Sequence, residues 1–327
     1  MYTDKNMSVE DCCYESEHIA KVLKEIKKNF EPYFERFIET NAGTGISAAE
    51  FEKLKMKFGA KETGKTKTRN YSNSFKDIYI NAVEDFENNR QKYFDLLDLE
   101  SLEEYEDDPA AFKSKALKND CPIIHSTYYN KGARELDKYR AAFNIANANE
   151  LLEVVTNLST FAEDYMENVY DKHTYDNIDN LDELELSDLD TDEYTVYGVI
   201  GGGIKSQLLY KIYPEAFSNR SRNATWALWF LTNKEKFGCI TDSEFLMIDT
   251  KNVITQQNYF YPYELFSFYA HEIYKLIQKK AKELEVGLDD KYRYVVVDTF
   301  LDYVASEHDE EISLYKSQIR DGGVGLA

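Results

Sequence analysis

The sequence predicts an α+β, mainly α-helical fold, with a helical N-terminal region and a mixed α/β C-terminal region. In the first half, apolar residues recur every three or four positions over long stretches, whereas the second half also contains short apolar runs that suit strands. A dense acidic segment separates the two halves. We therefore predict a helical domain over residues 1–175, an acidic linker or mobile loop over 176–193, and a mixed α+β domain with a helix-turn-helix-like pair over 194–327.

Apolar periodicity predicts the helices of the N-terminal region. One helix is expected over residues 15–40, with a bend at Pro32, because proline removes a backbone hydrogen bond. Another is expected over 74–97, and Asp107-Asp108-Pro109 then breaks the chain and starts a short helix. The widest apolar stripe covers residues 149–170 and predicts a long helix that packs one face against a core.

The acidic segment contains nine Asp and Glu residues between Asp176 and Glu193, and no Lys or Arg. Such a run of like charges favours a linker or a mobile loop. Four leucines are interleaved with the acids, at positions 181, 184, 186 and 189. Their presence predicts that the segment docks on another part of the protein.

The C-terminal region mixes helical and strand-like patterns. Trp226 and Trp229 are three residues apart and predict a helix, and Pro262 suits the first turn of another helix. The short apolar run 245–249 predicts a strand. Residues 294–304 are apolar without a clear period, so both a strand and a helix are compatible with them.

A glycine-rich turn over residues 198–206 opens a predicted helix. The separation of Gly198 and Gly203 fits a phosphate-binding loop, but Ile204 stands between Gly203 and Lys205. On a helix one extra residue rotates a side chain by about 100°, which turns the lysine away from a bound phosphate. The turn therefore predicts a helix entry that needs glycine, and not a nucleotide-hydrolysing site.

Two groups of basic residues stand out in an acidic chain and predict contacts with phosphate groups. The first group belongs to a loop-like stretch, and the second to the helix-turn-helix-like pair. Their members are Lys61, Lys65, Lys67 and Arg69 in the loop, and Lys205, Lys211, Arg220 and Arg222 in the pair. Solvated basic side chains, or pairing of the loop with the acidic segment, are the alternative interpretations.

The run Phe245 to Lys251 ends in Asp249, Thr250 and Lys251, and it resembles the metal-binding strand of the PD-(D/E)xK nucleases. That resemblance implies a Mg²⁺ site in which Asp249 and Asp242, or Glu244 in place of Asp242, hold the ion and Lys251 orients water. The short spacing between Asp242 and Asp249 leaves little room for two strands and a turn, which weighs against this hypothesis.

Composition restricts the function. The net charge of −21 disfavours nucleic-acid binding over the whole surface. No apolar run is long enough to cross a membrane, and the N-terminus lacks an apolar signal core, so we expect a cytoplasmic protein. Neither the four cysteines nor the five histidines show the spacing of a metal site, and no resident metal or cofactor is predicted.

The leading functional hypothesis is a non-enzymatic binding protein that recognises a protein, or a nucleic acid through its local basic patches. The segregation of acidic and basic residues along the chain motivates it. The first alternative is the Mg²⁺-dependent nuclease with Asp242, Asp249 and Lys251. The second is an acidic protein that mimics nucleic acid and inhibits a DNA-binding partner.

Overall fold

A computed structural model describes residues 11–41, 71–133, 136–237, 244–249, 254–259 and 261–321. The structure is 74% helical with 2% strand, so the fold is mainly helical. The helices of the N-terminal half are α1 (Ser16–Asn41), α2 (Tyr71–Glu87), α3 (Gln91–Leu97), α4 (Leu99–Glu103), α5 (Pro109–Ala111), α6 (Pro122–Tyr129), α7 (Asp137–Ile145) and α8 (Ala148–Asn168).

These helices confirm most of the N-terminal predictions and refine two of them. The helix predicted over 74–97 is divided into α2 and α3, because Asn89 adopts a left-handed backbone with a φ of 64° and ends the first helix. Asp108 accepts a hydrogen bond from the backbone N–H of Ala111 and caps α5. The chain then continues as a π-helix over Phe112–Asp120.

The acidic segment forms a series of short 3₁₀ turns packed against the helices. The turns are Tyr175–Asn177, Leu181–Leu184, Ser187–Asp190 and Asp192–Tyr194. The interleaved leucines are all buried, with Leu184, Leu186 and Leu189 at 0% exposure. Most of the acids face solvent on the other side, whereas Asp176 pairs with the buried Arg293 and Asp190 accepts hydrogen bonds from the backbone N–H groups of Tyr263 and Glu264.

The C-terminal half continues with helices and one short hairpin. Its elements are α9 (Gly202–Ile212), α10 (Arg222–Leu231), β1 (Leu246–Asp249), β2 (Ile254–Gln257), α11 (Tyr263–Glu283), α12 (Arg293–Ser306) and α13 (Asp309–Asp321). The two strands pair antiparallel, with Leu246 opposite Gln257.

The prediction of a mixed α/β C-terminal region is wrong. In the part of the chain that the structure describes, the only sheet there is the hairpin of β1 and β2, and helices form the rest of the regular structure. The ambiguous run 294–304 belongs to α12. Val295, Val296 and Val297 are all buried there, since neighbouring helices cover this helix on several sides. Such packing removes the apolar stripe that would identify a helix, and it overrides the strand preference of valine.

Helices from both predicted domains share one hydrophobic core. Phe30 and Phe37 of α1 contact Phe300 of α12, with ring centroids 5.2 and 5.6 Å apart. The predicted division at the acidic segment stays a prediction. Among the described helices, none combines the length and the apolar character needed to span a bilayer.

Candidate functional site, an acidic cleft between helices

A cleft of about 750 Å³ lies between α2, α9 and α12. Its charged lining consists of four carboxylates and one ammonium group: Asp77, Asp85, Asp298, Asp302 and Lys211. Asp298 and Asp302 are four residues apart on α12, and Asp77 and Asp85 are eight apart on α2, so each pair occupies one side of its helix. The cleft is therefore acidic on two facing walls.

Among the carboxyl groups of this cleft, Asp298 has the most strongly raised pKa. Burial raises the pKa of Asp298 well above the ordinary range, and the neighbouring carboxylate of Asp302 raises it further. Asn219 opposes both effects, since its Nδ2 donates a hydrogen bond of 3.0 Å to Asp298 Oδ1. Burial also raises the pKa of Asp302, which accepts a hydrogen bond of 3.1 Å from Asn223 Nδ2. Perturbed carboxyl groups in a cleft mark a candidate functional site.

Asn219 is a further polar residue in the lining of the cleft. Its side chain is 8% exposed, and its Oδ1 has no hydrogen-bond partner among the described residues. The surrounding protein covers this oxygen, so a ligand in the cleft would reach it only after a rotation of the Asn219 side chain. The acceptors that line this end of the cleft are therefore the carboxyl groups of Asp298 and Asp302.

Lys211 was predicted to contact phosphate, and the structure places it at the base of the acidic cleft. Its Nζ donates a hydrogen bond of 2.7 Å to the carbonyl oxygen of Phe86 and lies 4.2 Å from the centre of the Phe86 ring. Burial lowers the pKa of Lys211 to about 8. The lysine is thus a partner of the protein's own backbone, surrounded by carboxylates that would repel a phosphate.

Lys205 and Arg220 lie in the interior, close to each other and remote from solvent. Lys205 is 3% exposed, and its Nζ donates hydrogen bonds to Leu189 O and, at 3.4 Å, to Thr195 Oγ1. Arg220 is 6% exposed, and its Nη2 donates a hydrogen bond of 2.9 Å to Asn258 O. These two side chains are therefore directed to the acidic segment and the hairpin, where they hold the fold together.

The helix-turn-helix-like pair corresponds to α9 and α10. Every residue from Ala224 to Leu231 of α10 is buried, so this helix has no open face that could enter a nucleic-acid groove. Arg222 is half-buried at the start of α10. The glycine turn before α9 needs glycine for two reasons: Gly198 has a φ of 79°, and a side chain at Gly202 would overlap the guanidinium of Arg220.

Most residues of the other predicted sites lie outside the described residues. These are Lys61, Lys65, Lys67 and Arg69 of the basic loop, and Asp242 and Lys251 of the nuclease hypothesis. Asp249 ends β1, where only its backbone is described. The nuclease and the basic-loop hypotheses therefore stay predictions.

A second cluster unites residues that no sequence motif connects. Cys13, His18 and Glu244 are all buried, and their ligand atoms all lie within 4.8 Å of one another. Cys13 belongs to a 3₁₀ turn, Asp11–Tyr14, that precedes α1. His18 lies in the first turn of α1, and Glu244 precedes β1. Glu244 was considered as a nuclease carboxylate, but its distance along the chain from the other two left no pattern to detect.

The acidic cleft did leave a signal in the sequence. Asp298 and Asp302 interrupt the apolar run 294–304 at a spacing of four, which places two acids on one side of a buried helix.

Comparison of the chain with protein-family models, curated proteins and solved structures finds no match.

Proposed function

We propose that this chain is a non-enzymatic binding protein whose acidic cleft accepts an arginine-rich segment of a protein partner. The observation that carries the proposal is the wall formed by Asp298 and Asp302, with Asp77 and Asp85 facing it. The carboxyl groups of this wall accept hydrogen bonds and carry negative charge when ionised. A guanidinium group offers five N–H donors and a permanent positive charge, which matches such a wall.

The raised pKa of Asp298 indicates why a cation would bind there. Two neighbouring carboxylates repel each other when both are ionised, and burial makes each charge more costly. A bound cation relieves this repulsion and takes the place of the proton. Binding is therefore expected to strengthen as pH rises from the ordinary carboxyl range towards the raised pKa of Asp298.

The spread of the carboxylates favours an extended basic ligand over a single metal ion. Among the described residues, the only group of three potential ligands that converges is Cys13, His18 and Glu244, which lies outside the cleft. Asp77 and Asp85 on the opposite wall can contact further basic side chains of the same segment. The predicted cytoplasmic location belongs to this proposal, since a reducing compartment suits the buried thiols of Cys13 and Cys121.

The proposal is tested with a fluorescent arginine-rich peptide and its analogue in which citrulline replaces each arginine. Fluorescence anisotropy should show binding of the arginine peptide, no binding of the neutral analogue, and weakening with salt. Asp298→Asn combined with Asp302→Asn should weaken binding by about tenfold or more, since each lost charge pair contributes on the order of 1 kcal/mol.

The matched control is Asp164→Asn combined with Asp188→Asn, two acids that line a separate cleft of about 550 Å³ beside α8. This variant loses the same net charge but leaves the acidic cleft intact. Equal weakening by the two double variants would show only general attraction to an acidic protein and would overturn the proposal. Spermine is the third probe: competition by spermine as strong as by the peptide would assign the cleft to polyamines instead.

A further inference from the structure

We propose that Cys13, His18 and Glu244 form a zinc-binding site that joins the start of α1 to the β1–β2 hairpin. The thiol, imidazole and carboxylate atoms all lie within 4.8 Å of one another. Zinc–ligand bonds of about 2.0–2.3 Å in a tetrahedral site place neighbouring ligand atoms roughly 3.3–3.8 Å apart. The three side chains can therefore surround one ion with small movements.

The chemistry of the three ligands selects the metal. Thiolate favours soft and borderline ions, imidazole favours Zn²⁺ among other transition metals, and carboxylate is accepted by Zn²⁺ as well. Mg²⁺ and Ca²⁺ prefer oxygen ligands, so a site with Cys13 and His18 disfavours them. Three protein ligands leave one tetrahedral position for water or another small ligand.

The surroundings of Glu244 hold it in place for this role. Its side chain is 0% exposed and contacts His18 through Oε1, while Tyr261 donates a hydrogen bond of 3.3 Å to Oε2. Asn258 Nδ2 donates a hydrogen bond of 3.0 Å to the backbone oxygen of Glu244. Hydrogen bonds of this kind orient a carboxylate ligand of a metal. Cys13 is 1% exposed, so a metal-bound thiolate would be shielded from solvent.

The test uses the untagged full chain, stripped with a chelator and titrated with Co²⁺ as a spectroscopic substitute for Zn²⁺. We expect a single ion per chain, intense visible bands from tetrahedral Co²⁺, and a thiolate-to-cobalt charge-transfer band. Competition with Zn²⁺ should abolish these bands. Stoichiometric binding without the charge-transfer band would overturn the assignment, and so would the absence of binding.

Variants separate this cluster from adventitious binding. Cys13→Ser should remove the charge-transfer band, while His18→Gln and Glu244→Gln should weaken Zn²⁺ binding by about 100-fold. Cys121→Ser is the matched control, since Cys121 is also buried but lies just before α6, elsewhere in the fold. Its spectrum should equal that of the unmodified chain.

Should Cys13→Ser fail to fold, as judged by circular dichroism, the unmodified chain still decides the question. Addition of Zn²⁺ to the metal-free native chain should slow the alkylation of one thiol, and peptide mapping should identify that thiol as Cys13. Protection of a different cysteine would overturn the proposal.

Discussion

The carboxyl group of Asp298 makes the stability of the protein depend on pH. Burial and the nearby Asp302 carboxylate raise its pKa in the folded state, whereas in the unfolded chain it has the ordinary value of about 4. Between these two pKa values the folded state binds more protons than the unfolded state. The free energy of unfolding therefore falls as pH rises through this interval.

Asp298→Asn should remove this loss of stability. The neutral amide cannot ionise, and its Oδ1 can still accept the hydrogen bond that Asn219 donates. We expect the variant to be more stable than the unmodified chain by about 1 kcal/mol at alkaline pH, a figure reduced for partial contact with solvent. Urea unfolding at a series of pH values measures the effect, and Asp164→Asn, on an exposed acid, is the control. A pH-independent difference would contradict the prediction.

At the scale of single residues, the sequence identified unusual positions better than it identified their roles. Lys205 and Arg220 were singled out because their positive charges stand out in an acidic chain. Their partners include Leu189 O and Asn258 O, which belong to other segments of the chain. A one-dimensional pattern contains no information about such backbone acceptors. The glycine requirement of the turn before α9 was predictable, since it depends on local geometry.

At the scale of elements, the acidic segment helps to begin α11. The carboxylate of Asp190 accepts hydrogen bonds from the backbone N–H groups of Tyr263 at 2.8 Å and Glu264 at 3.2 Å. These groups lie at the N-terminus of the helix, where a negative charge is also favoured by the helix dipole. The segment thus supplies a cap that the sequence next to α11 does not contain.

Asp190→Ala should leave these two N–H groups without their carboxylate. We expect a loss of about 1–2 kcal/mol in the free energy of unfolding, typical of removing a helix cap. Asp188→Ala is the control, because it removes an exposed acid from the same turn. Chemical denaturation followed by circular dichroism measures both variants, and equal losses would show that the effect is not specific to the cap.

Long helices were predictable and short elements were not, for a physical reason. The helix over Ala148–Asn168 exposes one face, so its apolar residues recur with the period of a helix. The residues of α12 are buried on several sides, and the π-helix over Phe112–Asp120 follows no simple period. The residues of the acidic cleft come from several helices, and Cys13, His18 and Glu244 also come from separate elements. Both require contacts that only the folded chain provides.

At the scale of the whole molecule, α1 connects the two halves of the chain. Phe34 stacks on Phe30 and contacts Phe75 of α2 and Phe300 of α12. Arg36 of α1 forms an ion pair of 2.9 Å with Glu307, just after α12. A core shared in this way favours cooperative unfolding over the separate unfolding of two domains.

We therefore expect a single unfolding transition in denaturant, which two spectroscopic probes can monitor. Trp226 and Trp229 both belong to α10 and report on the C-terminal half through fluorescence, whereas circular dichroism reports on all the helices. The two curves should coincide.

Phe34→Ala should shift both unfolding curves to lower denaturant concentration by the same amount. We expect the free energy of unfolding to fall by about 3–5 kcal/mol, because the substitution leaves a cavity in the shared core. The exposed Ile80 of α2 provides the control, since Ile80→Ala should change stability by about 0.5 kcal/mol or less. If Phe34→Ala shifts the helical signal and leaves the tryptophan curve unchanged, the two halves unfold independently and the predicted division at residues 176–193 marks a true domain boundary.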